Sequence, residues 1–364
     1  MTEPKIGAHT IREIRSEPET WTQCIADLRS TGRLRSLEAV LAKGVDLVFV
    51  GCGSSYYVAL SAATSWTLLT GEPAKAVPAS EILLFPKALT RPCQPVVISR
   101  SGQTTEAVEA ALFLERELRI PTLGLTCGAG TPLENACSHL LTLPAADEKS
   151  TVMTRSFTSM LLALQSLAAV RAGNQDFMES LGALAARAQR LLPSMETTIE
   201  SLVYSRKFAD YVFLGQGPFF GVAQESMLKV KEMSCSYGQC FHTLEFRHGP
   251  KAIVSPETLV TFFLSESGFA SEEAVLEEIK ALGGATLVIA NAADPLVRRS
   301  ADYLIELSLP VPEVARAAVA VIPGQLLGFY TGLRKGFNPD EPRNLTRVVM
   351  LEGGGSGGVE RAPA

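Results

Sequence analysis

A hydroxyl-rich loop between an apolar strand and a helix is the feature of this sequence best suited to bind an anion. The apolar run 96–98 leads into Ser99-Arg100-Ser101-Gly102-Gln103-Thr104-Thr105, in which four of seven side chains carry hydroxyls. Gly102 permits a tight turn, and the helix start offers free N–H groups and the positive end of its dipole. We therefore expect a phosphate-binding cradle here. Ordinary N-capping of a helix by Ser or Thr is the alternative.

The same arrangement occurs a second time along the chain. Gly51-Cys52-Gly53-Ser54-Ser55-Tyr56 follows one apolar run, and Gly215-Gln216-Gly217 follows another, with Gly215 placed 164 positions after Gly51. The serine loop is repeated as Ser265-Glu266-Ser267-Gly268, with Ser265 placed 166 positions after Ser99. Two matches in the same order predict an internal duplication of an α/β domain. Because a carboxylate repels phosphate, Glu266 in place of Arg100 predicts that only the first copy holds the anion.

Charged residues that share one helix face are the candidates for acid–base chemistry. The segment 224–234 is typical of a helix, and Glu225, Lys229 and Glu232 are spaced by four and three residues, which places them on one face. A solvated, salt-bridged surface has the same spacing. The position of the segment after a strand favours a catalytic face, because ligands bind in crevices at the carboxyl ends of parallel strands.

His248 is the candidate imidazole, since it precedes a Gly-Pro turn and should lie at the end of a loop. A neutral imidazole can transfer a proton near pH 7, although a structural loop histidine is the simpler interpretation. No two of the four histidines have the spacing of a zinc site, so we expect no metal.

Alternating strands and helices must position these residues. The alternation predicts an α/β fold of two tandem, doubly wound parallel-sheet domains. The expected strands are 45–50, 96–99, 122–126 and 140–143 in the first half, and 211–214, 259–264, 285–290 and 303–307 in the second. The expected helices are 9–43 with a break at Pro18, 104–118, 154–172, 176–192, 224–234 and 271–282, and 353–358 should form a flexible tail.

Composition excludes several classes of function. A net charge of −5 argues against a nucleic-acid partner. No apolar run is expected to span a membrane, and the first 15 residues are not typical of a signal peptide. The seven scattered cysteines are expected to be reduced, which predicts a cytoplasmic protein.

Four motifs together resemble the sugar isomerase (SIS) family with tandem domains, especially the isomerase part of glucosamine-6-phosphate synthase and the hexosamine-phosphate deaminases. The resemblance extends from about residue 11 to residue 345. The motifs are Gly51-Cys52-Gly53-Ser54-Ser55-Tyr56, Ser99-Arg100-Ser101-Gly102, Leu228-Lys229-Val230-Lys231-Glu232 and Arg247-His248-Gly249-Pro250.

The resemblance implies a role for each candidate residue. Glu232 would move a proton between C1 and C2, Lys229 would contact the sugar, and His248 would assist ring opening from a partner subunit. That implies a homodimer with shared active sites and no cofactor. The implied substrate-binding residues are Ser55, Ser99, Arg100, Ser101, Thr104, Thr154 and Arg347.

Departures from the synthase pattern shape the expected activity. The sequence shows neither a glutaminase domain nor a nucleophilic cysteine near Met1, so glutamine is not the expected ammonia source. Arg100 replaces the usual glutamine of the synthase, as in the deaminases, and Arg347 stands where the synthase has a lysine. We therefore expect a sugar-phosphate isomerase or deaminase acting on a hexosamine or ketohexose 6-phosphate. A deglycase of phosphorylated sugar–amine adducts and a non-catalytic sugar-phosphate sensor are the alternatives.

The expected domain division follows from the duplication. Residues 1–195 would form the N-terminal helices and the first domain with the phosphate site. Residues 196–337 would form the second domain with the catalytic helix and the histidine loop, and 338–364 would form a C-terminal tail.

Overall fold

The computed structural model describes residues 6–89 and 91–351. Its strands form two five-stranded sheets in which every neighbouring pair is parallel. The first sheet has the order β2-β1-β3-β4-β5 and the second, read in the same direction, has the order β7-β6-β8-β9-β10. The strands are β1 (Asp46–Gly51), β2 (Ala74–Pro78), β3 (Cys93–Ile98), β4 (Leu123–Thr126), β5 (His139–Thr142), β6 (Asp210–Gly215), β7 (Tyr237–His242), β8 (Thr258–Phe263), β9 (Ala285–Ala290) and β10 (Tyr303–Glu306).

The identical strand order confirms the fold class, two tandem α/β domains with parallel sheets. The duplication extends to backbone conformation: Gly53 has φ 54° and ψ −128°, and Gly217 has φ 53° and ψ −129°. Each glycine stands immediately before the helix that follows the first strand of its sheet. A positive φ with such a ψ is readily adopted only by glycine, which explains why both loops carry one.

Helices cover the sheets and connect the two halves. They are α1 (Ala8–Arg15), α2 (Glu17–Ser30), α3 (Arg33–Val40), α4 (Ser54–Thr70), α5 (Ala79–Leu84), α6 (Thr105–Leu112), α7 (Pro132–Ala136), α8 (Arg155–Arg171), α9 (Gln175–Ser205), α10 (Pro218–Ser234), α11 (Phe269–Ala281), α12 (Pro295–Ser300), α13 (Ala317–Ala320) and α14 (Ile322–Arg334). A π-helical turn, Phe113–Glu117, extends α6. The expected tail segment 353–358 lies outside the described residues.

Proline had different effects at two expected helix boundaries. The expected break near Pro18 is present, because α1 ends at Arg15 and α2 begins at Glu17, with Pro18 in the first turn of α2, where the missing N–H is tolerated. The helix expected to end at residue 192 instead continues through Pro193 to Ser205. Its inner face is buried on both sides of Pro193, at Leu192 and Met195, and this packing outweighs the local cost of a proline.

The edge strands β2 and β7 were not expected from the sequence. Their residues are largely half-buried, in contrast to the fully buried central strand β3. Such strands lack the continuous apolar run that marks a buried parallel strand. They also lack a regular alternation of apolar and polar residues.

Close packing fixes the position of helix α10. Three glycines of α14 face it at four-residue intervals, and a Cβ on Gly324, Gly328 or Gly332 would lie within 2.6 Å of atoms of α10. These contacts include the carbonyl oxygen of Lys229. Helix α10 is therefore held by direct backbone contact along its length.

One helical stretch, Glu313–Arg334, is long and apolar enough by length and composition to cross a membrane. This corrects the expectation that no such run exists. Its apolar 18-residue window is fully buried inside the fold, where an all-round apolar helix serves as a core element.

Candidate functional site

The first serine loop (Ser99–Thr105) connects β3 to α6, as the sequence predicts. Gly102 turns the chain at φ 64°. The Ser99 hydroxyl donates to the Thr104 hydroxyl at 3.4 Å, and the Gln103 amide donates to Ser101 Oγ at 3.1 Å. Among the described residues, the backbone amides of Arg100 and Ser101 donate to no protein acceptor. The loop therefore presents free N–H groups beside a helix start, which is what an anion site requires.

The Arg100 side chain does not extend freely from this loop. It is 5% exposed, and its guanidinium donates to the Thr151 carbonyl at 3.0 Å and to the Arg347 carbonyl at 2.7 Å. The same group lies 3.8 Å from Glu148 Oε2. Arg100 thus connects the loop to residues 148–151 and to the C-terminal segment.

The C-terminal segment 347–351 lies against the first turn of α6. The Thr105 amide donates to the Val349 carbonyl at 3.3 Å, and the Leu351 amide donates to Thr105 Oγ1 at 3.1 Å. The Arg347 guanidinium contacts Asp147 Oδ1 at 3.0 Å and the Glu148 carbonyl. Arg347 is therefore placed next to the serine loop, although more than 240 positions separate the two in sequence.

Two further predicted binding residues are buried close by. Thr154 is fully buried, and both its amide and its hydroxyl donate to Glu148 Oε1 at 2.6 Å. The Ser55 hydroxyl, in the first turn of α4, lies 4.0 Å from the Met153 sulfur. The side chain of Thr154 is thus engaged in holding Glu148, whereas Ser55 has only this weak contact.

The charged face of α10 is a buried ionic cluster and not a solvated surface. Lys229 Nζ lies 2.6 Å from Glu232 Oε2 and 3.0 Å from Glu225 Oε1. Lys229 and Glu225 are fully buried, whereas the Glu232 side chain retains 19% exposure. Of the two carboxylates in the cluster, Glu232 is consequently the one that a substrate can reach.

Helix α4 of the first domain completes this cluster through Ser54. Lys229 Nζ donates to Ser54 Oγ at 3.2 Å, and Ser54 Oγ donates to Glu225 Oε1 at 3.0 Å. The two helices approach closely at Gly221, where a Cβ would lie 2.6 Å from the Tyr57 carbonyl. The charged face of α10 in the second domain therefore meets the glycine loop of the first.

Burial sets the protonation behaviour of the cluster. It raises the pKa of Glu225 to about 7, a shift that Glu232 increases and Lys229 opposes. Burial alone would lower the pKa of Lys229, but the two adjacent carboxylates outweigh it and the pKa is raised. Lys229 therefore remains an ammonium and keeps a positive charge beside Glu232.

Among the described residues, His248 has no hydrogen bond or ion pair that connects it to this cluster. It is exposed and follows a 3₁₀ turn, Glu245–Arg247, with its amide donating to the Glu245 carbonyl at 3.0 Å. Its backbone is anchored while its imidazole faces outward.

Sequence reasoning left three residues out of the site: Ser54, Glu225 and Glu148. Ser54 stands in the glycine loop beside the predicted Ser55, and Glu225 was noted on the shared face but given no role. Glu148 carries no local signal, because only the fold brings it to Arg100 and Thr154. Among the described residues, no group of three or more His, Cys, Asp or Glu is arranged to hold a metal.

Comparison with known proteins identifies the family. A model of the SIS domain matches residues 41–170 and 209–330, one segment for each sheet. The chain belongs to the SIS family. Its two SIS domains carry the two serine loops and the two glycine loops described above.

Several relatives span nearly all of this SIS chain. The glutamine–fructose-6-phosphate aminotransferase (isomerizing) of Methanothermobacter thermautotrophicus is 26% identical over 351 residues, which is 94% of this chain and 57% of that protein. The Vibrio vulnificus enzyme of the same name is 30% identical over 86% of this chain and 53% of its own length. The chain thus spans about half the length of the curated relatives it matches.

Solved structures match over their full length. Glucosamine-6-phosphate deaminase from Thermotoga maritima superimposes with a TM-score of 0.78 at 29% identity, covering 94% of this chain and 99% of that one. Tagatose-6-phosphate ketose/aldose isomerase from Escherichia coli superimposes with a TM-score of 0.81 at 24% identity, covering 96% and 98%. The second match shows the shared fold.

Proposed function

We propose that this chain is an aminosugar-phosphate deaminase, which converts a 2-amino-hexose 6-phosphate into a ketose 6-phosphate and ammonia. The observation that carries the proposal is the buried cluster of Glu225, Lys229 and Glu232, with one carboxylate reachable beside a fixed ammonium. Structural similarity along the whole length of a glucosamine-6-phosphate deaminase supports this choice.

The first serine loop would bind the phosphate. Its free amides at Arg100 and Ser101 and the hydroxyls of Ser99, Ser101 and Thr104 are donors suited to a dianion. Ser55 lies on the same side of the domain, near Met153. Arg100, Thr154 and Arg347 hold the surrounding segments through the contacts described above and so shape the cradle.

Glu232 would act as the base on the open-chain sugar. It takes the proton from C2 of the aldehyde and a proton returns to C1, while a proton leaves the amine nitrogen and another reaches the C1 oxygen. These transfers leave an alcohol at C1 and an imine at C2. Water then adds to the imine, and the C2–N bond breaks to give the ketone and ammonia. The Lys229 ammonium, 2.6 Å from Glu232, would stabilise the negative charge that develops on the substrate oxygen.

His248 would assist ring opening in a neighbouring subunit. Its exposed imidazole on an anchored turn favours a role across a homodimer interface. On this proposal residues 1–195 contribute the phosphate site and residues 196–337 the catalytic helix, and a second chain contributes the histidine.

Ammonia release tests the proposal directly. The purified chain is mixed with a panel of 2-amino-hexose 6-phosphates, and ammonia and ketose phosphate are measured. Glu232→Gln serves as the matched control, because it preserves size and polarity without the base. Sugar-phosphate binding without ammonia or solvent-deuterium incorporation would instead support a sensor, and release of an amine from phosphorylated sugar–amine adducts would support a deglycase.

A further inference from the structure

The second serine loop (Ser265–Gly268) already contains an anion, and that anion belongs to the protein. The carboxylate of Glu313 accepts hydrogen bonds from the Glu266 amide, from the Ser267 amide at 3.4 Å and from the Ser267 hydroxyl at 2.7 Å. Two successive amides and one hydroxyl directed at a single carboxylate form a complete oxyanion site.

The donors that hold Glu313 have direct counterparts in the first loop. Both loops follow the third strand of equivalent sheets, and the offset of 166 positions matches Glu266 to Arg100 and Ser267 to Ser101. In the first loop, the two corresponding amides donate to no acceptor among the described residues. One loop is thus filled and the other is open, although their donors correspond.

An exchange of charges explains why only one loop is filled. In the first domain the cation, Arg100, belongs to the loop and lies near Glu148, which follows the last strand of the sheet. In the second domain the positions are reversed. The loop carries a carboxylate, Glu266, and the cation, Arg316, follows the last strand. Their side chains form an ion pair with an N–O distance of 2.5 Å.

The carboxylate after the last strand therefore has different partners in the two domains. Glu148 accepts hydrogen bonds from Thr154 and Ser156 at the start of α8 and, among the described residues, none from the amides of the first loop. At the same offset of 166 positions, Ala320 and Ile322 replace Thr154 and Ser156 and carry no hydroxyl, and Glu313 accepts hydrogen bonds from the second loop instead.

We propose that Glu313 is a built-in replacement for phosphate, and that its carboxylate restricts the chain to one anion site by occupying a second, latent one. The ligand class of the latent site is a small oxyanion such as phosphate. This inference rests on the proposed function, because it assumes that the first loop binds the phosphate of the substrate.

The other charges around the second loop are compatible with an anion once Glu313 is removed. Glu266 remains neutralised by Arg316 and accepts from Asn291 at 3.2 Å. Glu272 accepts from the Ser265 amide at 2.7 Å and from its hydroxyl at 2.9 Å, and burial raises its pKa to about 7. A small cleft next to the loop is lined by Asn291, Glu313 and Arg316 and by Leu264, the residue that precedes the loop.

Titration with inorganic phosphate tests this assignment by calorimetry. Four proteins are compared: the unmodified chain, Ser101→Ala/Thr104→Ala, Glu313→Ala, and the triple variant. We expect one phosphate per chain for the unmodified protein and two for Glu313→Ala. The triple variant should bind phosphate at least tenfold more tightly than Ser101→Ala/Thr104→Ala, because only the triple variant has an open second loop.

Two further measurements keep the proposal testable if Glu313→Ala folds poorly. Phosphate should then raise its Tm more than it raises that of the unmodified chain, because a ligand stabilises the state that binds it. Glu313→Gln preserves the shape of the side chain and should also gain a second, weaker phosphate.

The outcomes separate this proposal from the proposed function. If neither folded Glu313 variant gains a phosphate and phosphate does not raise its Tm, the assignment of Glu313 is wrong. If Ser101→Ala/Thr104→Ala binds phosphate as tightly as the unmodified chain, the first loop is not the phosphate site, and the proposed function loses its support independently of Glu313.

Discussion

Lys229 Nζ, on the second SIS domain, donates a hydrogen bond of 3.2 Å to Ser54 Oγ, on the first. The two residues are 175 positions apart, and both follow a glycine loop of the same duplicated design. This bond places the ammonium between Glu225 and Glu232 at the junction of the two domains. The charged cluster on α10 of the second domain therefore has a hydrogen-bonding partner from the first domain.

Replacing Glu232 by Gln should abolish turnover while preserving binding. The substitution removes the base but keeps the size and polarity of the side chain, so kcat should fall by about 10²–10⁴ while the Kd for the sugar phosphate changes little. Single-turnover kinetics and a binding titration measure the two effects. A variant that turns over at the original rate would show that Glu232 is structural.

Removing hydroxyls from the first serine loop should weaken phosphate binding. Ser101→Ala/Thr104→Ala loses two donors to a charged group, each worth about 1.5–3 kcal/mol, so the Kd for the sugar phosphate should rise at least tenfold. The matched control is Ser265→Ala/Ser267→Ala, whose loop is occupied by Glu313. Equal losses in both pairs, with folding verified by Tm, would contradict the assignment of the site to the first domain.

Mixed dimers should regain activity if His248 acts across a subunit interface. Inactive Glu232→Gln protein mixed with inactive His248→Ala protein forms hybrids in which one of the two sites has both residues. Mixing Glu232→Gln with Lys229→Ala is the control, because both changes fall on one helix and leave no intact site. Recovery in neither mixture, with subunit exchange demonstrated, would place all catalytic groups on one chain.

Glu225 should make the protein less stable as the pH rises. Its pKa of about 7 in the folded state exceeds the usual value of 4.5, so the stability it contributes is fully present below about pH 4.5 and is lost as the pH rises toward 7. Across this window, the free energy of unfolding of the unmodified protein minus that of Glu225→Gln should fall by up to about 1.4 kcal/mol per pH unit.

Denaturant titrations at several pH values check this slope. Glu272→Gln is the matched control, because burial raises the pKa of Glu272 to about 7 as well and its slope should be similar. Glu272 lies outside the charged cluster on α10, so only Glu225→Gln should alter the turnover. A slope near zero for Glu225→Gln would mean that Glu225 is ionised throughout the window.

Local pattern in the sequence determined much of the fold. Central strands such as β9 were recognisable because strands buried on both faces are continuous apolar runs. The two glycine loops and the two serine loops were recognisable because a positive φ and a helix start each demand particular residue types. The duplication followed from their spacing alone, and the shared face of Glu225, Lys229 and Glu232 followed from helix geometry.

The tertiary structure alone decided which of these groups are buried and what they contact. It gave Lys229 its partner Ser54, engaged Arg100 with Glu148 and Arg347, and placed Glu313 in the second serine loop. Tertiary packing also keeps α9 helical through Pro193 and forms the edge strand β7. Each of these outcomes depends on contacts between residues far apart in sequence or on the free energy of burying a surface, and local pattern encodes neither.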